Sequence, residues 1–156
     1  MTDAEYARRA HALRQKLYKT ALLYLSDEAS ALEAVDEAVY KGLRSHKKLR
    51  QKEYFDTWLT RILINECRNE QRRRQRVQPV ETLPETAAEA YDALPLKEAV
   101  ARLPGELRDV VILRFFAGYT LQETADALVI PRGTAATRQR RALSLLRLEL
   151  EEEVEP

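Results

Sequence analysis

Residues 120–142 read Thr-Leu-Gln-Glu-Thr-Ala-Asp-Ala-Leu-Val-Ile-Pro-Arg-Gly-Thr-Ala-Ala-Thr-Arg-Gln-Arg-Arg-Ala, and their punctuation decides the fold. Thr120 followed three residues later by Glu123 is a capping box: each side chain satisfies a backbone N–H that a first helical turn leaves free. The helix it opens is short and ends by Val129, since Ile130-Pro131-Arg132-Gly133 breaks it. Thr134 is placed to N-cap a further helix to about Leu150, with Leu143 and Leu146 as apolar anchors. Two helices joined by a tight break, with small Ala125 where they would cross, predict a helix-turn-helix.

Upstream, a helix from Leu94 carries Leu96, Ala99, Val100 and Leu103 and is stopped by Pro104 and Gly105. The next buries Leu107, Val110, Val111 and Leu113, and Gly118 is placed to cap its end. Residues 77–93 contain Pro79 and Pro84, are acidic and have no sustained period, so they read as a flexible linker. Before them lie three helices. The first places Leu13, Leu17, Ala21 and Tyr24 on one face. The second, from about Ser30 to Leu43, has the apolar stripe Leu32, Val35, Val39 and Leu43. The third, from near Glu53 to about Arg74, carries Phe55, Trp58, Leu59, Ile62 and Leu63 and a basic end. The expected fold is all-α: two small helical domains, 1–76 and 94–150, joined by the linker 77–93 and followed by an acidic tail, 151–156.

Composition agrees, with 33% charged and 7% aromatic residues and ten Gly plus Pro in 156. The single Cys67 excludes an internal disulfide or cysteine metal cluster and reads as a small buried or semi-buried residue rather than a nucleophile. His11 and His46 are far apart, and no Gly-rich phosphate loop appears, so an enzyme is not expected and no cofactor or metal is implied. Arg114 interrupts the best apolar run, well short of the roughly 18 residues of a membrane span. With a polar N-terminus, the expectation is a soluble cytoplasmic protein. The net charge of +1 conceals segregation. Residues 1–76 carry 17 Lys/Arg against 11 Asp/Glu, 77–93 none against 4, and 94–150 nine against 6. Two basic blocks around an acidic spacer suit two surfaces facing a polyanion, although basic helix faces are also often merely solvated.

The second helix of a helix-turn-helix enters the DNA major groove by its N-terminal part. Arg132, Thr134, Thr137, Arg138 and Arg141 supply donors for base edges and cations for phosphates there, with Arg140 adjoining. Thr134, Thr137, Arg138 and Arg141 share one face. The same residues would also suit the wet face of an ordinary helical hairpin. In the first block, the run 44–52 (Arg-Ser-His-Lys-Lys-Leu-Arg-Gln-Lys) leads into Tyr54 and Phe55. Cations beside aromatics suit single-stranded DNA, through Lys47, Lys48 and Arg50. Arg61, Asn65 and Arg68 share a face of the following helix, and the Asn65 amide can read a base edge. Phe55, Trp58 and Ile62 read as core rather than stacking platforms.

Both blocks resemble one family in the right order. Residues 31–43 resemble the sigma factor region 2 pattern around an acidic pair, and 55–65 (Phe-Asp-Thr-Trp-Leu-Thr-Arg-Ile-Leu-Ile-Asn) its Phe-x-x-Trp-Leu-x-Arg-Ile-x-x-Asn. Residues 103–116 resemble the start of region 4, and 130–142 its Ile-Pro-x-Gly-Thr recognition helix. The short linker points to the extracytoplasmic-function (ECF) group. The resemblance implies that Glu33, Asp36, Glu37 and Lys41 bind the β′ clamp helices of bacterial RNA polymerase core. It implies that the basic loop with Asn65 recognises and helps melt the −10 element, and that the second block reads the −35 element and touches the β flap. It also implies a stress-type regulon and an anti-sigma partner, often membrane-anchored.

Departures from the family pattern mark particular positions. Val129 stands at a usual turn glycine, and Thr124, Ala127 and Gln139 replace apolar residues at the crossing, which predicts a less stable module. Ala136 replaces a frequent lysine, and Asp36 a usual glutamine. The acidic linker (Glu81, Glu85, Glu89, Asp92) is expected to discourage DNA binding by the free protein. Two rivals stand beside this reading: a homodimeric helix-turn-helix regulator on palindromic sites, and a helical adaptor that binds only protein.

Overall fold

The structure, a computed structural model, describes residues 1–76 and 94–154, with side chains over 1–76 and 96–147. The linker expected at 77–93, with its four acidic residues, lies outside the described residues. The described elements are helical, and they fall in two compact units, Met1–Thr86 and Ala87–Pro156.

The first unit consists of α1 (Asp3–Leu25), α2 (Glu28–Ser45) and α3 (Phe55–Arg76), with two 3-10 turns, His46–Lys48 and Lys52–Tyr54, between the last two. Thr2 caps α1 by accepting the Glu5 N–H, and Asp27 caps α2 by accepting the Ser30 N–H. Ser26, at φ 67°, turns the chain between these helices. α1 buries Tyr6, Ala10, Leu13, Leu17, Ala21 and Tyr24, and α3 buries Phe55, Leu59, Leu63, Ile64 and Cys67. Trp58 and Ile62, expected inside, are only half-buried.

α2 corrects the sequence expectation. Of the stripe Leu32, Val35, Val39 and Leu43, only Val35 is fully buried, while Leu32 and Leu43 are 46% and 42% exposed. The buried face is instead Ala31, Ala34, Val35, Ala38 and Gly42. Close approach selects it. The Tyr6 hydroxyl donates to the Val39 carbonyl at 2.6 Å, and a Cβ on Gly42 would lie 2.2 Å from the Tyr6 Oη. Larger residues would hold the helices apart and break this contact.

Arg74, expected simply to complement the end of α3, ties the three helices together. It donates to the Leu25 carbonyl at the end of α1 and pairs with Asp27, the cap of α2. Burial pushes the Asp27 carboxyl up, but the Ser30 hydrogen bonds and Arg74 outweigh it and hold the pKa below its ordinary 3.8.

The second unit consists of α4 (Leu94–Arg102), α5 (Gly105–Val111), α6 (Leu121–Leu128) and α7 (Arg132–Val154). Pro104 alone makes the first break: its carbonyl accepts the Leu107 and Arg108 N–H groups, so Gly105 begins α5 rather than ending α4. A π turn, Ile112–Phe116, extends α5, with the Ala117 N–H on the Ile112 carbonyl at 2.8 Å. Gly118, at φ 76°, closes it. The capping box is present: Thr120 Oγ1 accepts from Glu123 N at 3.1 Å, and Glu123 Oε1 from Thr120 N at 3.0 Å.

α6 ends in a Schellman motif, with Ile130 N–H on Ala125 O and Val129 N–H on Asp126 O. Val129 holds its left-handed position at φ 58°, where a glycine would be unstrained. α7 begins at Arg132, two residues before the expected cap, because the Pro131 carbonyl already accepts the Ala135 N–H. Thr134 is therefore inside the first turn. The helix also runs past the expected end at Leu150, through Val154. Ala125, Ala135, Ala142 and Leu146 are buried at the core of this unit, whereas Leu143, expected as an anchor, is 42% exposed. Thr124 is buried with its hydroxyl donating to the Thr120 carbonyl.

Replacing Asp27 by Ala removes a cap and the Arg74 pair, and should destabilise the first unit by about 1–2 kcal/mol at pH 7. A carboxyl whose folded pKa is lowered contributes stability above its unfolded value and loses it as pH falls through the folded one. The gap in denaturant midpoint between variant and parent should therefore narrow below pH 3.8. Val129→Gly should stabilise the second unit by about 1 kcal/mol, read as a higher Tm, since relief of left-handed strain exceeds the entropy glycine adds to the unfolded chain.

Candidate nucleic-acid interface

In the first unit the connection between α2 and α3 exposes Lys47, Lys48 and Arg50, with Tyr54 in the same connection 48% exposed. Its inward residues are held. His46, within the basic run, is buried and stacks on Tyr6 at 5.0 Å. Its Nε2–H donates to Asp3 Oδ1 at 2.6 Å, because an ionised carboxylate can only accept. That bond comes first among the effects that lower the Asp3 pKa. Phe55 is core, edge-on to Tyr6, as its apolar spacing predicts. Arg61 and Asn65 are exposed on α3 and Arg68 is half-buried. At 1.5 Å per residue they lie about 9, 15 and 20 Å along the helix from Phe55.

In the second unit Thr134, Thr137, Arg138 and Arg141 line one concavity of about 540 Å³ together with Glu106 and Gly133. The spacing argument for a shared face therefore holds. Arg132 and Arg140 are exposed outside that lining. Two of the residues are occupied. The Thr137 hydroxyl donates to the Gly133 carbonyl at 3.0 Å and accepts from Arg140, as a helical threonine often does. Arg138 is half-buried and lies 3.7 Å from the Glu106 carboxylate. α5 thus positions an arginine of α7.

The four α2 residues named from the sequence do not form one free patch. Asp36 pairs with Arg14, and Lys41 with Glu66, whose hydrogen bond raises the lysine pKa. Glu33 and Glu37 are exposed and line a shallow cleft against Glu66 and Glu70 of α3. The sequence reading missed the apolar part of the outer surface. Leu32, Tyr40 and Leu43 are all more than 40% exposed and share a face with Asp36, at steps of four, four and three. The signal was available in the small residues 31, 34, 38 and 42, which mark the side that packs.

Among the described residues no group of three His, Cys, Asp or Glu could hold a metal ion, and no helix is long and apolar enough to cross a membrane. The sequence profile of sigma-70 region 2 matches residues 10–77, and that of sigma-70 region 4 matches residues 99–148. The RNA polymerase sigma factor SigV of Bacillus subtilis is 30% identical over 145 residues, covering 90% of this chain and 87% of the relative. The ECF RNA polymerase sigma factor SigM of Mycobacterium tuberculosis is 28% identical over 137 residues, covering 85% and 70%. The fold is similar to the sigma factor RpoE from Bartonella quintana, solved in complex with the anti-sigma factor NepR, with TM-score 0.77, 20% identity and coverage of 97% and 99%. It is also similar to CnrH, solved with the cytosolic domain of CnrY, with TM-score 0.75, 18% identity and coverage of 97% and 90%. Two helical units, matched in chain order by regions 2 and 4 and by relatives over most of their length, make this chain a member of the ECF group of sigma-70 RNA polymerase sigma factors, the subunits that serve transcription initiation.

Proposed function

We propose that the division of labour follows the domains expected from the sequence, 1–76 for polymerase and −10 binding and 94–150 for −35 binding, with 77–93 as the acidic spacer between them and 151–156 as the tail. The observation that carries the reading is the concavity between α5 and α7, where Thr134, Arg138 and Arg141 converge beside Glu106. This is the arrangement by which a recognition helix meets base edges in the major groove. Arg138 and Arg141 read bases of the −35 element. Arg132 and Arg140 neutralise phosphates outside the concavity, and Thr137 contacts the strand through its methyl group, its hydroxyl being engaged.

Lys47, Lys48 and Arg50 track the backbone of the opened −10 strand, and Arg61, Asn65 and Arg68 extend that track along α3, with Asn65 reading a base. The outer surface of α2 docks on the β′ clamp helices of the polymerase. Its exposed Leu32, Tyr40 and Leu43 supply the apolar centre that a helical partner needs, and Glu33, Asp36, Glu37 and Lys41 the polar surround. The second unit also touches the β flap. Two weak modules on one tether become additive through effective concentration once the polymerase fixes their spacing. An anti-sigma factor, membrane-anchored or free, masks the polymerase-binding surfaces of this cytoplasmic protein until a stress signal releases it. RpoE of Bartonella quintana, whose fold is similar, is solved in complex with an anti-sigma factor, NepR.

Run-off transcription with bacterial core polymerase over a promoter library tests the reading. Start sites that require the protein and share upstream −35 and −10 elements are expected. Arg138→Ala and Arg141→Ala should each lower initiation about tenfold on −35-dependent promoters, as loss of a bidentate base contact does. Absence of protein-dependent initiation would sink the proposal, and footprints on palindromic sites without polymerase would replace it with a homodimeric regulator.

A further inference from the structure

The basic loop between α2 and α3 has little structure of its own. Two backbone hydrogen bonds close its turns, Leu49 N–H to His46 O and Tyr54 N–H to Gln51 O. Further restraints come from the first two turns of α1, more than 40 residues away in sequence. Asp3 accepts from the buried His46 at the loop's start. Glu5 pairs with the Lys52 ammonium at 3.3 Å. Arg9 donates to the Lys52 carbonyl at 3.0 Å, lies 5.8 Å from the Phe55 ring centroid and is steadied by Glu5 at 3.4 Å. Tyr6 fills the space between His46 and Phe55. Both ends of the loop are thus gripped by one helix, and the residues between the grips, Lys47, Lys48 and Arg50, point into solvent.

We infer that the start of α1 is a splint for the −10-reading loop, so that Asp3, Glu5 and Arg9 are positioning residues for promoter opening that act through the loop. This rests on the reading of the loop given above. The physical reason is preorganisation. A loop that must capture a transiently unstacked strand loses affinity if it has to be ordered at the moment of capture, and fixed ends remove that cost beforehand. Each contact alone is a modest surface interaction, but their two points of attachment leave the loop little freedom to slide.

The test uses the full chain with core polymerase, on a promoter recovered from the library and on the same promoter with its −10 element scrambled. The readout is the ratio of open complex formed on the two, alongside affinity for core polymerase and Tm. For Arg9→Ala the ratio should fall about tenfold, since a hydrogen bond, an ion pair and a ring contact are lost together. Affinity for core polymerase should stay at the parental value. Arg9→Lys, which keeps the charge but not the fork, should recover part of the ratio. Asp3→Ala, at an exposed carboxylate, gives a second measurement should Arg9→Ala fold poorly, and it should lower the ratio in the same direction. A merely structural role would lower initiation on both templates in step with Tm and leave the ratio unchanged, which overturns the inference. The double variant Lys47→Ala with Lys48→Ala separates the two levels. If it lowers the ratio while the α1 variants do not, the splint fails and the loop reading survives. If it leaves the ratio unchanged, the loop reading itself fails.

Discussion

The first unit depends on the approach of Tyr6 to the backbone of α2. The hydroxyl donates to a helical carbonyl at 2.6 Å, and this is possible only because position 42 has no Cβ. Burial raises the phenol to about 12, so it remains a donor at any physiological pH. The same ring stacks on His46 and meets Phe55 and Trp58 at steep, T-shaped angles. One side chain of α1 therefore fixes the rotation of α2, the entry of the connecting loop and the first turn of α3. The exposure of Leu32, Tyr40 and Leu43 follows, because a helix that packs through alanines and a glycine must turn its larger residues outward.

The second unit is organised by its chain breaks. Pro104, Gly118, Val129 and Pro131 each end or begin a helix, and their spacing leaves α5 and α6 too short to be stable alone. They persist because they bury apolar surface against α7. The small residues Ala125, Ala135 and Ala142 are fully buried there, which favours close helix contact over bulk. Larger residues of α5 and its π turn, Val110, Ile112 and Leu113, complete that interior and are fully buried.

What was legible in the sequence follows from how local each signal is. The Thr120–Glu123 box is a contact over three residues, and it formed as read. The alignment of Thr134, Arg138 and Arg141 depends only on helical pitch. Thr134 has the character of a cap but is not one, because the residue that decides the start of α7 is Pro131, whose carbonyl makes the first intrahelical bond. The stripe on α2 misleads for a different reason. Periodicity ranks residues by hydrophobicity, whereas the packed side of that helix is set by size, and the size requirement comes from Tyr6, 36 residues earlier. The π turn at 112–116 left no trace in composition, and the anchoring of the basic loop by α1 is a long-range arrangement that spacing cannot reveal.

Cys67 lies fully buried in α3, on the side facing the core that Tyr6 organises, and it is the chain's single thiol. A reagent can reach it only when α3 parts from its neighbours. The protein thereby carries a built-in gauge: the rate at which an alkylating probe consumes this sulfur follows the open population of the first unit when reclosing is fast, with no label added and no contribution from the second unit.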